Sequence, residues 1–164
     1  VKARSMQHFS AEVFWHYVSV LFFSSLAGGV IGVFVGRAQN LGPGINKLQT
    51  IGTFGVVALA ATAYAMIGMA IGPGQTQVIA GAATGVGFIS GAVIFKTGAE
   101  VHGLTTAALI WACSSIGLAF GYEMHELALA ATFYVIVFIW FHEHKYPDLR
   151  LLDALFKSKA DKDL

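Results

Sequence analysis

Charge is what this chain of 164 residues has least of: Asp, Glu, Lys and Arg make up 12% of it, against roughly 25% in soluble globular domains. The charges are also unevenly placed, with none in residues 50–95 and none in residues 103–122. A water-facing surface cannot be built from such stretches, which excludes a single water-soluble domain. A net charge of +1 supplies no basic field for nucleic acid. There is one cysteine, Cys113, so no disulfide can form within the chain, and its apolar neighbours mark it as a small buried helix residue. No serine, cysteine or lysine has a nearby base partner that would make it a nucleophile, so enzymatic activity is not expected.

What is present is apolar: 56% of the residues are hydrophobic. A hydrocarbon core of about 30 Å is crossed by about 20 helical residues, and five segments meet or approach that length: 14–36, 50–71, 78–95, 104–121 and 127–141. The last is the shortest. A transmembrane β-barrel would alternate apolar with polar residues, whereas these segments are apolar on every face. The predicted fold is an all-α integral membrane protein, with about five transmembrane helices in a glycine-rich bundle. Residues 1–13 form an N-terminal extension, 14–141 the membrane domain and 142–164 a tail. In that tail Leu151, Leu152, Leu155 and Phe156 share one helical face opposite Arg150, Asp153 and Lys157, a short amphipathic helix that Asp148 can cap. It is expected to lie on the membrane surface or dock on a helix bundle. The chain begins at Val1 and not Met, so an upstream segment is expected to have been removed or left out.

Five spans put the termini on opposite sides. Lys2 and Arg4 then fall on one side, and Arg37, Lys47, Lys96, Lys145, Arg150, Lys157, Lys159 and Lys162 on the other. By the positive-inside rule the C-terminus faces the cytoplasm or its organellar equivalent, in a bacterial inner membrane or an organellar inner membrane. Trp15, Tyr17, Trp140 and Tyr146 sit where an interfacial aromatic belt is expected.

Glycines recur at a spacing of four: Gly28, Gly32 and Gly36 in the first segment, then Gly81 with Gly85 and Gly87 with Gly91 in the third. In a soluble helix each interior glycine costs about 1 kcal/mol relative to alanine. In lipid the same residue lets two backbones approach closely. These ridges predict tight helix contacts, within the bundle or with other membrane helices, including a second copy. The run Gly85, Val86, Gly87 lies inside an apolar span and follows no strand, so it is not a nucleotide-binding turn.

The order of residues adds a further signal. Gly85, Val86, Gly87 and Phe88, followed after a short polar hairpin by Gly103, Leu104, Thr105, Thr106, Ala107, Ala108 and Trp111, closely resemble the signature of the MgtC/SapB family of membrane proteins. The likeness extends more faintly from Leu26 to Tyr134. It implies a five-helix membrane domain linked in bacteria to magnesium homeostasis and growth at low magnesium, with regulation of an ion-driven ATP synthase proposed for some members. Several charged family positions differ here. Val33, Phe34, Val35 and Gly36 stand at the end of the first span, with Arg37 alone charged; Lys47, Leu48 and Gln49 replace an Arg-Thr-His; Gly74 stands for an Asp and His102 for an Arg. The soluble C-terminal domain of many members has no counterpart in these residues.

A magnesium pathway needs hard oxygen ligands, normally carboxylates, and the spans offer none. The remaining polar candidates are Glu100 with His102 in one hairpin and Glu123, His125 and Glu126 in the opposite one, both read first as solvated loops at the membrane surface. Thr105 and Thr106 hydroxyls have no preference for magnesium. His142, Glu143 and His144 place ligands two apart, which suits neither successive helical turns nor a His-Glu-x-x-His site. His16 is better read as an interfacial histidine than as an axial ligand to haem or pigment, and no nucleotide or redox cofactor is expected. Two roles compete: a magnesium-homeostasis protein that acts by packing on or regulating another membrane protein, with direct transport less favoured, and an accessory subunit of a larger energy-converting membrane complex.

Overall fold

The computed structural model describes residues 11–38, 47–72, 75–98 and 100–145. The helices are α1 (Ala11–Ala38), α2 (Lys47–Ile71), α3 (Gln75–Val93), α4 (Leu104–Gly121) and α5 (His125–Lys145). Between α3 and α4 lies a hairpin of two three-residue strands, β1 (Phe95–Thr97) and β2 (Glu100–His102). Four helices, α1 to α4, are long and apolar enough to cross a membrane, and the apolar part of α5, His125–Phe141, is shorter. The third span was expected to run to residue 95, but α3 ends at Val93, because Phe95 pairs with His102, Lys96 with Val101 and Thr97 with Glu100 in the antiparallel hairpin. The amphipathic tail and Tyr146 lie outside the described residues.

Helix ends are closed by backbone devices. Gly72 follows α2 at φ 102°, a left-handed conformation that costs glycine nothing. After α4, Glu123 N–H donates to the Phe120 carbonyl and Met124 N–H to the Ala119 carbonyl. This pair of bonds is the Schellman arrangement, which ends a helix within two residues and lets α5 start at His125.

Helix α2 is gripped between α1 and α4, its principal neighbours. A Cβ at Gly28 of α1 would meet the Phe54 carbonyl and, at 2.9 Å, the Ala58 Cβ; one at Gly32 would lie 2.8 Å from Ile51 Cα. From the other side, a Cβ at Gly117 of α4 would strike the Ala58 carbonyl, and one at Gly121 would press on Thr62 and Ala65. Ala58 is therefore held between two glycines on different helices. Membrane helices associate through van der Waals contact, which small residues maximise by removing side chains from between the backbones. Around this seam Ile31, Val35, Phe54, Cys113 and Ile116 are almost fully buried.

A polar link at Thr62 crosses the seam. Thr62 Oγ1 lies 2.6 Å from Ser24 Oγ on α1, 2.8 Å from the Gly117 carbonyl on α4 and 2.9 Å from its own Ala58 carbonyl. With one proton, Thr62 donates to a carbonyl while it can accept from Ser24, so three helices share one hydrogen-bonded point. Interhelical bonds of this kind average about 0.6 kcal/mol and reach about 1–2. Thr62→Val, which keeps the shape, is expected to cost about 1 kcal/mol in detergent unfolding, with measurable coupling to Ser24→Ala in a double-mutant cycle. Strict additivity would show that the link contributes nothing.

Candidate functional site

The residues picked out by sequence fall into three places. The first is the α1–α2 seam, where Gly28 and Gly32 abut α2 and Gly36 is buried near the end of α1. Glycines 117 and 121, which form the matching seam between α2 and α4, escaped the sequence reading. Their spacing of four was the available signal, opposite Ala58, Ala61 and Ala65 on α2.

The second place is the turn from α3 through the hairpin into α4. Gly103 precedes α4 at φ 84° and accepts the Ala107 N–H, and a Cβ there would strike the Val93 carbonyl. The chain thus needs glycine at this point both for its dihedral and for its closeness to the end of α3. Eight residues on, the Trp111 indole lies across α3, its Nε1 3.6 Å from where a Gly87 Cβ would be. Gly87 and Trp111 are therefore a packing pair that ties α3 to α4. Ala107 is buried, whereas Leu104, Thr105 and Phe88 are exposed and Thr106 is half-buried. Gly81, Gly85 and Gly91 face open space, with no atom of the described chain within 4 Å of a Cβ there. Helix α3 is the least covered of the four long helices: 6% of its apolar window is buried, against 33–56% in the others.

The third place is polar. His16 Nε2 of α1 lies 3.5 Å from Glu123 Oε1 in the α4–α5 turn, and His16 and His125 border an apolar groove of about 570 Å³ between α1 and α5, floored in part by Phe120. Glu123 and Glu126 are exposed. At the other end of α4, His102 stacks on Phe95 with ring centroids 5.1 Å apart, and Glu100 sits in the adjoining strand. An 18-residue α4 spans about 27 Å at about 1.5 Å per residue, so the two polar groups cannot join in one site. Among the described residues no three or more His, Cys, Asp or Glu side chains come together as metal ligands. His142, Glu143 and His144 belong to the last turns of α5, and their side chains lie outside the description.

Glu123 occupies the left-handed position of the Schellman turn at φ 61°, where glycine is the usual residue and any L side chain is strained by about 1–2 kcal/mol. The His16–Glu123 pair is exposed on both sides and such pairs contribute about 0.2–1 kcal/mol. Glu123→Gly is expected to be about 1 kcal/mol more stable than Glu123→Ala, since both lose the pair and only glycine relieves the backbone. Equal stabilities by thermal unfolding would show that the turn carries no strain.

The helices, their apolar length and their charge-free interiors define an integral membrane protein of the polytopic helical class. The sequence profile of the MgtC family matches residues 21–145, and the chain belongs to that family. It is 29% identical over 112 residues to Protein MgtC of Salmonella typhimurium (strain LT2), covering 68% of this chain and 47% of that protein. It is likewise 29% identical over 123 residues to Protein MgtC of Brucella abortus (strain 2308), covering 74% of this chain and 49% of the relative. The chain thus matches about half the length of these relatives. No solved structure matches it.

Proposed function

We propose that this chain serves magnesium homeostasis by packing on and regulating another membrane protein, without enzymatic activity and without carrying the ion itself. The magnesium link follows from family membership. The mode of action is supported by one observation: the polar side chains buried among the described residues are hydroxyls, Ser24, Thr50, Thr62, Ser90 and Ser114. A partly hydrated magnesium ion is held by carboxylates and other hard oxygen donors, and the central seam is closed by backbone contacts through Gly28 and Gly117. Such a protein acts through its lipid-facing surfaces. The distribution of Lys and Arg supports reading the α4–α5 turn, with Glu123, on the side away from the cytoplasm or its organellar equivalent.

The charged family positions replaced at Val35, Gly74 and His102 favour a second reading, an accessory subunit of a larger energy-converting membrane complex. Depletion of the chain separates the two. A growth defect confined to limiting magnesium supports the first reading, and one indifferent to magnesium supports the second. Saturable magnesium uptake into proteoliposomes holding the purified protein would overturn both.

A further inference from the structure

Helices α2 and α3 touch only lightly, and between them runs a groove of about 540 Å³ with Val56, Ala60 and Tyr64 on one wall, Gly81 and Gly85 on the other, and Ser114 of α4 lining its depth. Ser114 is 3% exposed, and its hydroxyl has no hydrogen-bond partner among the described residues. Thr53, Thr84 and Thr132 each donate to the carbonyl four residues back, the usual refuge of a hydroxyl in a membrane helix. Ser114 does not take it. An unpaired hydroxyl removed from water carries a cost of about 1–3 kcal/mol, so the groove suits an occupant that brings an acceptor. A lipid tail brings none.

We infer that the occupant is α3 of a second copy of this chain, packed across the Gly81–Gly85 face. Helix α3 carries both halves of such a contact. Gly81, Gly85 and Ala92 leave a channel along its exposed face, and Phe88, 82% exposed, stands on the same stripe as a ridge. A residue that is open to lipid gains nothing from being glycine, which costs about 1 kcal/mol in a helix; closing a helix–helix contact recovers that cost. Residues 75–93 hold no charge, so two copies of α3 do not repel. In a two-fold dimer with its axis along the membrane normal, equivalent residues lie at equal depth. The contact of Trp111 with Gly87 sets Ser114, one helical turn along α4, at about the depth of Thr84 on antiparallel α3. The Thr84 hydroxyl is exposed and already donates to the Ala80 carbonyl, which leaves its lone pairs free to accept from Ser114 of the other copy.

This inference is independent of the magnesium-linked role. It is tested on the full chain in lipid vesicles, by energy transfer between labelled copies over a dilution series and by oxidative cross-linking of Gly85→Cys beside Phe133→Cys, an exposed site on α5. The native Cys113 is buried and stays out of the reaction. The expected result is a dimer that cross-links through position 85 and not 133. Gly85→Leu should raise its dissociation constant by more than about tenfold, and Ser114→Ala by about tenfold to a hundredfold, the worth of the two symmetry-related interhelical hydrogen bonds. Among the described residues nothing crowds Gly85, so unchanged helicity of Gly85→Leu checks that the monomer folds. A monomer at all dilutions, a dimer insensitive to both α3 and Ser114 changes, or a groove filled by lipid or by a different protein in place of a second copy would each overturn the inference.

Discussion

Gly117→Val is expected to lower the stability of the bundle by about 2–4 kcal/mol. Any Cβ at this position strikes the Ala58 carbonyl and comes within 2.9 Å of the Ala61 Cβ. The first of these is backbone, which cannot swing aside as a long side chain could, so α2 and α4 must separate. Overpacking a tight interior costs roughly 1–3 kcal/mol. Here the same separation pulls Gly117 away from Thr62 and loosens the point that joins three helices, adding about 1 kcal/mol. A total of about 2–4 kcal/mol is a large share of the roughly 5–15 kcal/mol that holds a folded protein together. The check is the unfolding midpoint after mild extraction, with Gly85→Val as the comparison. Both replace a helical glycine by the same side chain, but a Cβ at Gly85 would meet no atom of the described residues within 4 Å. Equal losses from the two variants would show that the α2–α4 seam is not where the bundle is held.

Gly103→Ala should be the most damaging single-methyl change in the hairpin. Its φ of 84° is strained for alanine, and the added Cβ would meet the Val93 carbonyl. Gly98, at φ 63° with open space around it, provides the control: alanine there carries only the dihedral penalty, about 1–2 kcal/mol. The difference between the two variants measures how closely the start of α4 is pressed on the end of α3. Gly103→Ala is expected to lose at least about 1 kcal/mol more than Gly98→Ala by thermal unfolding, and to let Trp111 move off Gly87, which its fluorescence would report. An identical loss in both would reduce the role of Gly103 to its dihedral alone.

The spans were legible because membrane thickness imposes a length on apolar runs and charge-free stretches cannot be mistaken for anything else. The hairpin strands were not, since three residues carry too little alternation to read, and the third span was extended to residue 95 for that reason. Which glycines would meet a neighbour was the harder question. Gly28, Gly32, Gly81 and Gly85 look alike in sequence, yet the first two are pressed on α2 and the last two face open space. Contact depends on how each helix is rotated about its axis, and a helix apolar on all sides has no polar face to fix that rotation. Gly117 and Gly121 carry the same spacing of four, and only the coordinates show that both press on α2. The Gly103 and Trp111 positions were recognisable by resemblance, but their physical reasons, a left-handed turn and an indole laid on Gly87, needed coordinates. His16 and Glu123 lie 107 residues apart, and nothing local in either segment announces their pairing.

The proposed contact with another membrane protein is tested by native-size separation of mildly extracted membranes with mass spectrometry of the band that holds this chain. The expected result is a complex in which the chain, alone or as a dimer, travels in fixed ratio with a different integral membrane protein that moves ions or couples to their movement. Migration solely with copies of itself, under conditions that keep other membrane complexes intact, would contradict it.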